Sequence, residues 1–193
     1  MESHLLANLY RLKYIERWSL MRNTMKENVA EHSFHVSLLT HCLCSIANEV
    51  YKKEVNTDRA VTLSLFHDVT EVFTGDIPTP VKHHNKEILK NFRDIEDLAA
   101  ERLVNQAPSE LKHVYKSIIS DKNEKELYQY VKAADLLDAY LKCVTELAAG
   151  NREFVVAKKQ IEQKIYELHM PEVDYFLKHL APSFEKTLDE ISE

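Results

Sequence analysis

The sequence predicts an all-α protein, on three observations. Glycine is scarce: only Gly75 and Gly150 occur in 193 residues, against an average usage near ~7%. Turn-rich β architectures need glycine for positive φ angles. Apolar residues recur at helical spacing along almost the whole chain. All five prolines fall between these periodic segments and none inside one.

The elements follow in order. Leu5, Leu9, Leu12 and Ile15 mark a first amphipathic helix. A second is expected from about residue 29 to 50, with Val36, Leu39, Leu43, Ile46 and Ala47 on its apolar face. Thr57-Asp58 offers a cap for a third, whose run Ala60, Val61, Leu63, Leu65, Phe66 continues into His67, Asp68 and Glu71. After the break "TGDIPTP", a charged helix is expected from about 85 to 105, and Ser109 and Asp121 begin shorter segments. A long helix from about 124 to 149 stops at Gly150-Asn151, a good C-terminal signal. Another follows to about 168, and Pro171 and Pro182 sit where helices can start. No repeat or flexible linker divides the chain, so one domain over residues 1–193 is expected.

A net charge of −6 speaks against general nucleic-acid binding. One local exception is the basic run Arg11, Lys13, Arg17, Arg22 and Lys26. It reads as a solvated helix face or as a local anion site. Cys42, Cys44 and Cys143 form no zinc-type pair and read as reduced thiols of a cytoplasmic protein. "MESHLLANLYRLK" has no signal-peptide architecture. The longest unbroken apolar run is "FVVA", residues 154–157, so no membrane span is expected.

The stretch "LFHDVTEVFTGDIPTP" then poses a question. It sets His67, Asp68, Glu71 and Asp76 among apolar residues, and buried unpaired charge costs several kcal/mol. Glu71 follows His67 by four residues and Asp68 by three, which on a helix puts it on the face of both. A divalent cation accepts imidazole and carboxylate together and compensates their burial. "NVAEHSFHV" adds His32, and "YVKAADLLDAYLK" adds Asp135 inside an apolar helix. Each has a plain alternative: a core histidine bonded to backbone, or an aspartate facing solvent, as Asp138 is expected to do. His83-His84, in a polar loop, reads as a solvated pair before it reads as a second metal site.

Taken together, His32, His67-Asp68 and Asp135 resemble the HD-domain metal-dependent phosphohydrolases. The segments "ENVAEHS", "FHDVTEVFTGDIPTPVK", "KAADLLDAYLKC", "ELAAGNREF" and "PSFEKTLDEIS" narrow the resemblance to the bacterial HD-domain 5′-deoxynucleotidases, over essentially the whole chain. That resemblance implies an all-α HD-domain helical bundle. It also implies one divalent metal ion on His32, His67, Asp68 and Asp135, and phosphate removal from deoxyribonucleoside 5′-monophosphates but not ribonucleotides. Two histidines and two carboxylates do not select among Mn²⁺, Co²⁺, Zn²⁺ and Cu²⁺; the resemblance suggests broad activation with cobalt among the good activators. Relatives of this kind are homodimers, and the amphipathic C-terminal helices offer an interface.

Glu71 is expected to act as the acid/base group, or as a brace for His67. Arg17 is expected to clamp the phosphate with its planar fork. Trp18 packs on the sugar and helps exclude a 2′-hydroxyl, or else anchors the core. Asp76, Ile77, Pro78 and Thr79 form a proline-stiffened loop that presents Asp76 and Thr79 to the nucleoside; the alternative is that Asp76 only caps the turn. His32, Asp68 and Asp135 touch the substrate through the same centre. Two rival readings stand beside this one. The first is a related phosphohydrolase acting on another nucleotide, such as a deoxynucleoside triphosphate, a cyclic nucleotide or an alarmone. The second is a helical binding module with a structural metal, for which Glu71 and Arg17 would have no use.

Overall fold

The computed structural model describes residues 2–82, 84–121 and 123–192. In chain order its helices are α1 (Leu5–Leu9), α2 (Val29–Glu49), α3 (Thr57–Leu65), α4 (Glu71–Thr74), α5 (Thr79–Lys82), α6 (Lys86–Asn105), α7 (Lys112–Ile119), α8 (Lys125–Ala148), α9 (Val155–Tyr166), α10 (Pro171–His179) and α11 (Leu188–Ser192). Tighter 3-10 turns occupy Tyr10–Tyr14, Arg152–Phe154 and Ala181–Glu185. Among the described residues the one extended pairing is a bridge between Glu16 and Asn28. The all-α expectation is borne out.

Several local expectations are corrected. The first amphipathic helix ends as α1 and tightens into the 3-10 turn, because Ile15 must become extended (φ −98°, ψ 107°) to join the bridge segment. The cap of α3 is Asn56, not Thr57-Asp58: its Oδ1 accepts from the Arg59 N–H at 3.1 Å, and asparagine outranks threonine as a cap. α3 stops at Leu65, so His67, Asp68 and Glu71 do not share it. Thr79 is not a loop residue but opens α5, with Pro80 tolerated in its first turn. Asp121 starts no helix; its carboxylate accepts from the Asn123 N–H.

The chain clusters into two compact units. The first comprises the chain up to Ser19, Lys26–Phe34 and Leu65–Glu124. Its core joins Leu5, Leu12, Val29 and Val69 to a ridge on α6 of Ala100, Leu103 and Val104, with Ala107 just past the end of α6 and Ile119 from α7. Phe66, Val72 and Phe73 pack against that core. A buried aliphatic or aromatic side chain contributes about 1.5–3 kcal/mol. The turn between α3 and α4 is therefore anchored by residues 66, 69, 72 and 73, which leaves 67, 68 and 71 for chemistry.

The second unit comprises Leu20–Met25, His35–Ser64 and the chain from Lys125 onward. α8 and α9 pack together, with Leu137, Leu141, Phe154, Ile161 and Ile165 buried. Burial, and next the charge of Glu172, pushes the Cys44 thiol up to about 12. Burial likewise holds Cys143 at about 12, and both thiols are free. Glu146 is 2% exposed yet charged. It accepts from the Thr24 N–H (2.9 Å), the Thr24 hydroxyl (2.6 Å) and the Asn151 amide (2.8 Å), and pairs with Lys142. Asp138 does not face solvent as expected: it is 6% exposed, and its Oδ1 lies 3.5 Å from Nδ1 of His35, which offsets the burial. His35, given no role from sequence, is thus its partner. No described helix is long and apolar enough to cross a membrane.

Candidate active site

Short-range hydrogen bonds build the site's frame. Ile15–Arg17 runs beside Glu27–Val29: the Arg17 N–H donates to the Glu27 carbonyl at 2.9 Å and the Val29 N–H to the Ile15 carbonyl at 3.0 Å. α2 begins there, and Asn28 caps it by accepting from the N–H groups of Ala30 and Glu31, both at 3.0 Å. Its first turn carries His32, which is fully buried. Beyond α3, the N–H of Val69 bonds the Phe66 carbonyl, and that of Glu71 bonds the Asp68 carbonyl. These i to i+3 bonds make an irregular turn.

That turn settles a difficulty in the sequence. On a regular helix His67 and Asp68 would diverge by ~100°. In the turn they converge. His67 Nε2 lies 3.2 Å from His32 Nε2 and 3.1 Å from Asp68 Oδ2, and His32 Nε2 lies 3.3 Å from that same oxygen. Burial alone would raise the Asp68 carboxyl. The charges and hydrogen bonds of His67 and His32 outweigh it and hold the group well below the usual carboxylate range.

Glu71 opens α4 and has the opposite balance. Burial, then the charges of Asp68 and Asp76, pushes its carboxyl up to about 9, although Arg17 and His32 pull the other way. Its Oε2 is buried without a hydrogen-bond partner. Asp76 is also raised, first by burial; Arg17, His32 and the Trp18 backbone N–H on its carboxylate oppose this. Gly75, between α4 and Asp76, has φ 71° and ψ 170°, a region only glycine occupies readily. Ile77, with Glu71, Thr74, Gly75 and Phe92, lines a cavity of about 20 Å³.

The structure thus brings together, within the first unit, His32, His67, Asp68, Glu71, Asp76, Arg17 and Trp18. Trp18 is half-buried and left-handed (φ 56°), a strained state for a bulky residue. Arg17 is not an isolated cation: its Nη1 pairs with Glu27 Oε1, a partner that sequence reasoning missed. Nothing in the sequence told that residues 15–17 and 27–29 would run side by side. Pro78 is half-buried, while Thr79 is exposed. Asp135 lies on α8, in the second unit, half-buried. The basic run disperses rather than forming one face. Lys26 pairs with Glu16 (2.7 Å), Arg22 pairs with Glu153 (2.5 Å), and Arg11 and Lys13 lie over the Tyr14 ring. His84 is exposed; His83 lies outside the described residues.

Two imidazoles and a carboxylate converging near a half-buried glutamate, on an all-α scaffold, define a helical phosphohydrolase of the HD class. The crystal structure of an HD-domain phosphohydrolase from Listeria innocua matches with a TM-score of 0.80 and 26% identity, covering 93% of this chain and 87% of that one. The cyanophage S-2L HD phosphohydrolase (DatZ), bound to dA and one catalytic Zn²⁺, matches in fold at a TM-score of 0.65 and 22% identity, covering 94% and 96%. The family model "5′-deoxynucleotidase YfbR-like" matches residues 4–184. A curated 5′-deoxynucleotidase of Vibrio vulnificus is 46% identical over 192 residues, 99% of each chain. The 5′-deoxynucleotidase YfbR of Escherichia coli is 45% identical, covering 100% of this chain and 97% of its own. The chain belongs to the YfbR-like 5′-deoxynucleotidase family, and it is a hydrolase with that activity.

Proposed function

We propose that this 5′-deoxynucleotidase holds one divalent cation on His32, His67, Asp68 and Asp135, and that Arg17, Trp18, Glu71 and the Asp76 loop handle the substrate around it. The supporting observation is the mutual spacing of three donor atoms, 3.1, 3.2 and 3.3 Å. Ligands about 2.0–2.1 Å from a first-row ion stand about 2.8–3.4 Å apart, from octahedral to tetrahedral angles. Three atoms of this chain thus already have the spacing of a coordination shell. A bound cation supplies Lewis-acid polarisation of the phosphate and acidifies the attacking water.

The rest is work for the chain's own groups. Glu71 has a buried, unpartnered oxygen suited to orienting that water, taking its proton and returning one to the leaving 5′-oxygen. Arg17 binds the phosphate through its guanidinium fork. Trp18 packs on the sugar and disfavours a 2′-hydroxyl, which an apolar pocket alone rejects poorly. Asp76, held to the Trp18 backbone, faces the nucleoside together with Ile77, Pro78 and Thr79.

The cation set extends to Mn²⁺, Co²⁺, Zn²⁺ and Cu²⁺, with cobalt among the good activators; the mixed N/O donor set supports this breadth. The chain works as a single HD-type domain, an inference supported by the family match over residues 4–184. It acts in the cytoplasm, which its reduced thiols support. It forms a homodimer; exposed Phe184, Leu188 and Ile191 near the C-terminus support an apolar interface. Sedimentation at rising concentration tests that state.

The deciding assay strips the enzyme of metal and restores each ion in turn. Free phosphate is then followed from deoxyribo- and ribonucleoside mono- and triphosphates. Metal-dependent release from the deoxy monophosphates alone is expected. Turnover of triphosphates would favour the rival nucleotide reading, and turnover without any ion would remove the metal from the mechanism.

A further inference from the structure

α6 places a carboxylate where its pattern expects an apolar side chain. Phe92, Glu96, Ala100 and Leu103 recur at helical spacing and share one face of α6. Ala100 and Leu103 lie in the core of the first unit. Glu96 is turned toward that side, with its side chain 27% exposed, while the apolar Ile95 and Leu98 face solvent at 47% and 66%. A charge turned inward among exposed apolar neighbours is the informative kind of burial. Lys82 of α5 pairs with Glu96, and both α4 and α5 pack on α6.

Glu96 and Lys82 line the same cavity of about 20 Å³ as Glu71 and Thr74. One water needs roughly 10–15 Å³ of such space and two to four polar partners. The volume therefore admits a single water, and the wall supplies its partners. Water donates two hydrogen bonds, which the carboxylates of Glu71 and Glu96 can accept, and it accepts one from the Lys82 ammonium. Glu71 Oε2 is the atom such a water would satisfy. It is buried and has no hydrogen-bond partner among the described residues, a costly state for a carboxylate oxygen.

We propose that this cavity holds one ordered water bridging Glu71 Oε2 to the Glu96–Lys82 pair, and that Glu96 and Lys82 are thereby positioning residues for Glu71. The water fixes one oxygen of the carboxylate from behind, so the other is presented to the reacting groups. This rests on the reading of Glu71 as the acid/base group. Glu96 and Lys82 belong neither to the metal set nor to the substrate-handling groups, so the defect on their removal lies in kcat and not in binding.

The test has a structural arm and a kinetic arm, both on the metal-loaded enzyme. A crystal structure that shows ordered waters should place one within about 3.2 Å of Glu71 Oε2 and of the Glu96–Lys82 pair; no water there overturns the proposal. In Glu96→Ala, kcat is expected to fall about tenfold, the scale of one hydrogen bond to a charged group. KM and the bound-metal stoichiometry should stay within twofold. Glu96→Gln keeps a hydrogen-bonding group of the same size and should recover most of the loss. Added to Glu71→Gln, Glu96→Ala should cost nothing further, because it acts through Glu71. Additive losses, or a KM that rises with the fall in kcat, make Glu96 structural only and the proposal falls. If Glu71→Gln is impaired and Glu96→Ala is not, Glu71 keeps its role and the bridge is discarded. If Glu71→Gln turns over normally, the acid/base reading fails and takes the proposal with it. Should Glu96→Ala fail to fold, Lys82→Met removes the other half of the pair and keeps its apolar stem. It should lower kcat by a similar factor, and no change overturns the proposal.

Discussion

Glu71 and Asp68 are three residues apart and have opposite electrostatics. Asp68 has two imidazoles within 3.3 Å and stays ionised. Glu71 has a buried oxygen and two carboxylate neighbours, so its proton is held up to about pH 9. A cation held as proposed on His32, His67 and Asp68 would reverse that balance and free Glu71 for proton transfer. The two should therefore separate on substitution. Glu71→Gln is expected to keep its metal, read by elemental analysis, while kcat falls about 10²–10⁴-fold, the usual worth of general acid–base catalysis. Asp68→Ala should lose both metal and turnover. Loss of metal from Glu71→Gln would make it a ligand instead. Trp18→Ala tests the third role: the ratio of deoxy to ribo kcat/KM should shrink about tenfold, and an unchanged ratio assigns Trp18 to packing.

The turn from Phe66 to Thr70 shows how much of the site was legible in the sequence and where legibility ended. Which residue types meet was readable, because imidazole and carboxylates in an apolar run demand compensation. How they meet was not. Helical periodicity continues through Phe66, yet the helix stops at Leu65, and the turn lets adjacent side chains converge. Local hydrogen bonding decided this, with Val69 and Phe66 anchored in a core built largely by α6, residues distant in sequence. The same reason hid Glu27, which reaches Arg17 through a pairing of two extended segments. Helix extents elsewhere were readable because caps and breakers are local: Asn85 caps α6 through the Ile88 N–H, and Gly150 follows the end of α8. Gly75 joins the two kinds of information. A Cβ there meets nothing within 4 Å, so Gly75→Ala costs backbone strain alone, about 1–3 kcal/mol. Gly150→Ala, also at positive φ (84°) with open space around it, is the control. Both should lower the denaturation midpoint. Only Gly75→Ala should raise KM, because it moves Asp76 off the Trp18 N–H; equal KM values would detach the loop from substrate binding.

Over the whole molecule these groups give stability a predictable dependence on pH and metal. A carboxyl whose folded pKa is raised binds a proton that the unfolded chain has released. Its contribution is complete below the ordinary value near ~4.3 and is lost as pH rises through the folded value. Glu71, pushed up to about 9, therefore makes the metal-free protein less stable from about pH 5 to 9, by at most about 1.4 kcal/mol per pH unit. Asp76, also raised, acts in the same sense. Asp68 and Glu146 act oppositely. Burial works against their ionised forms, but the histidines beside Asp68, and Lys142, Thr24 and Asn151 around Glu146, hold both pKa values down. Their contribution is present above the ordinary value and is lost as pH falls below about 4. The metal-free protein should thus melt highest near pH 5. A bound divalent ion favours ionised Glu71, so it should flatten the alkaline limb; the acid limb persists and steepens, because protonation of Asp68 and the histidines also releases the ion. Melting temperatures of chelated and Mn²⁺-loaded protein between pH 4 and 9 check both limbs. Chelated Glu71→Gln should lose most of the alkaline slope, because the amide has no proton to release. Equal melting temperatures at pH 5 and 9 in chelated wild type would show that Glu71 is already ionised without a cation, and that the metal is not what frees it for catalysis.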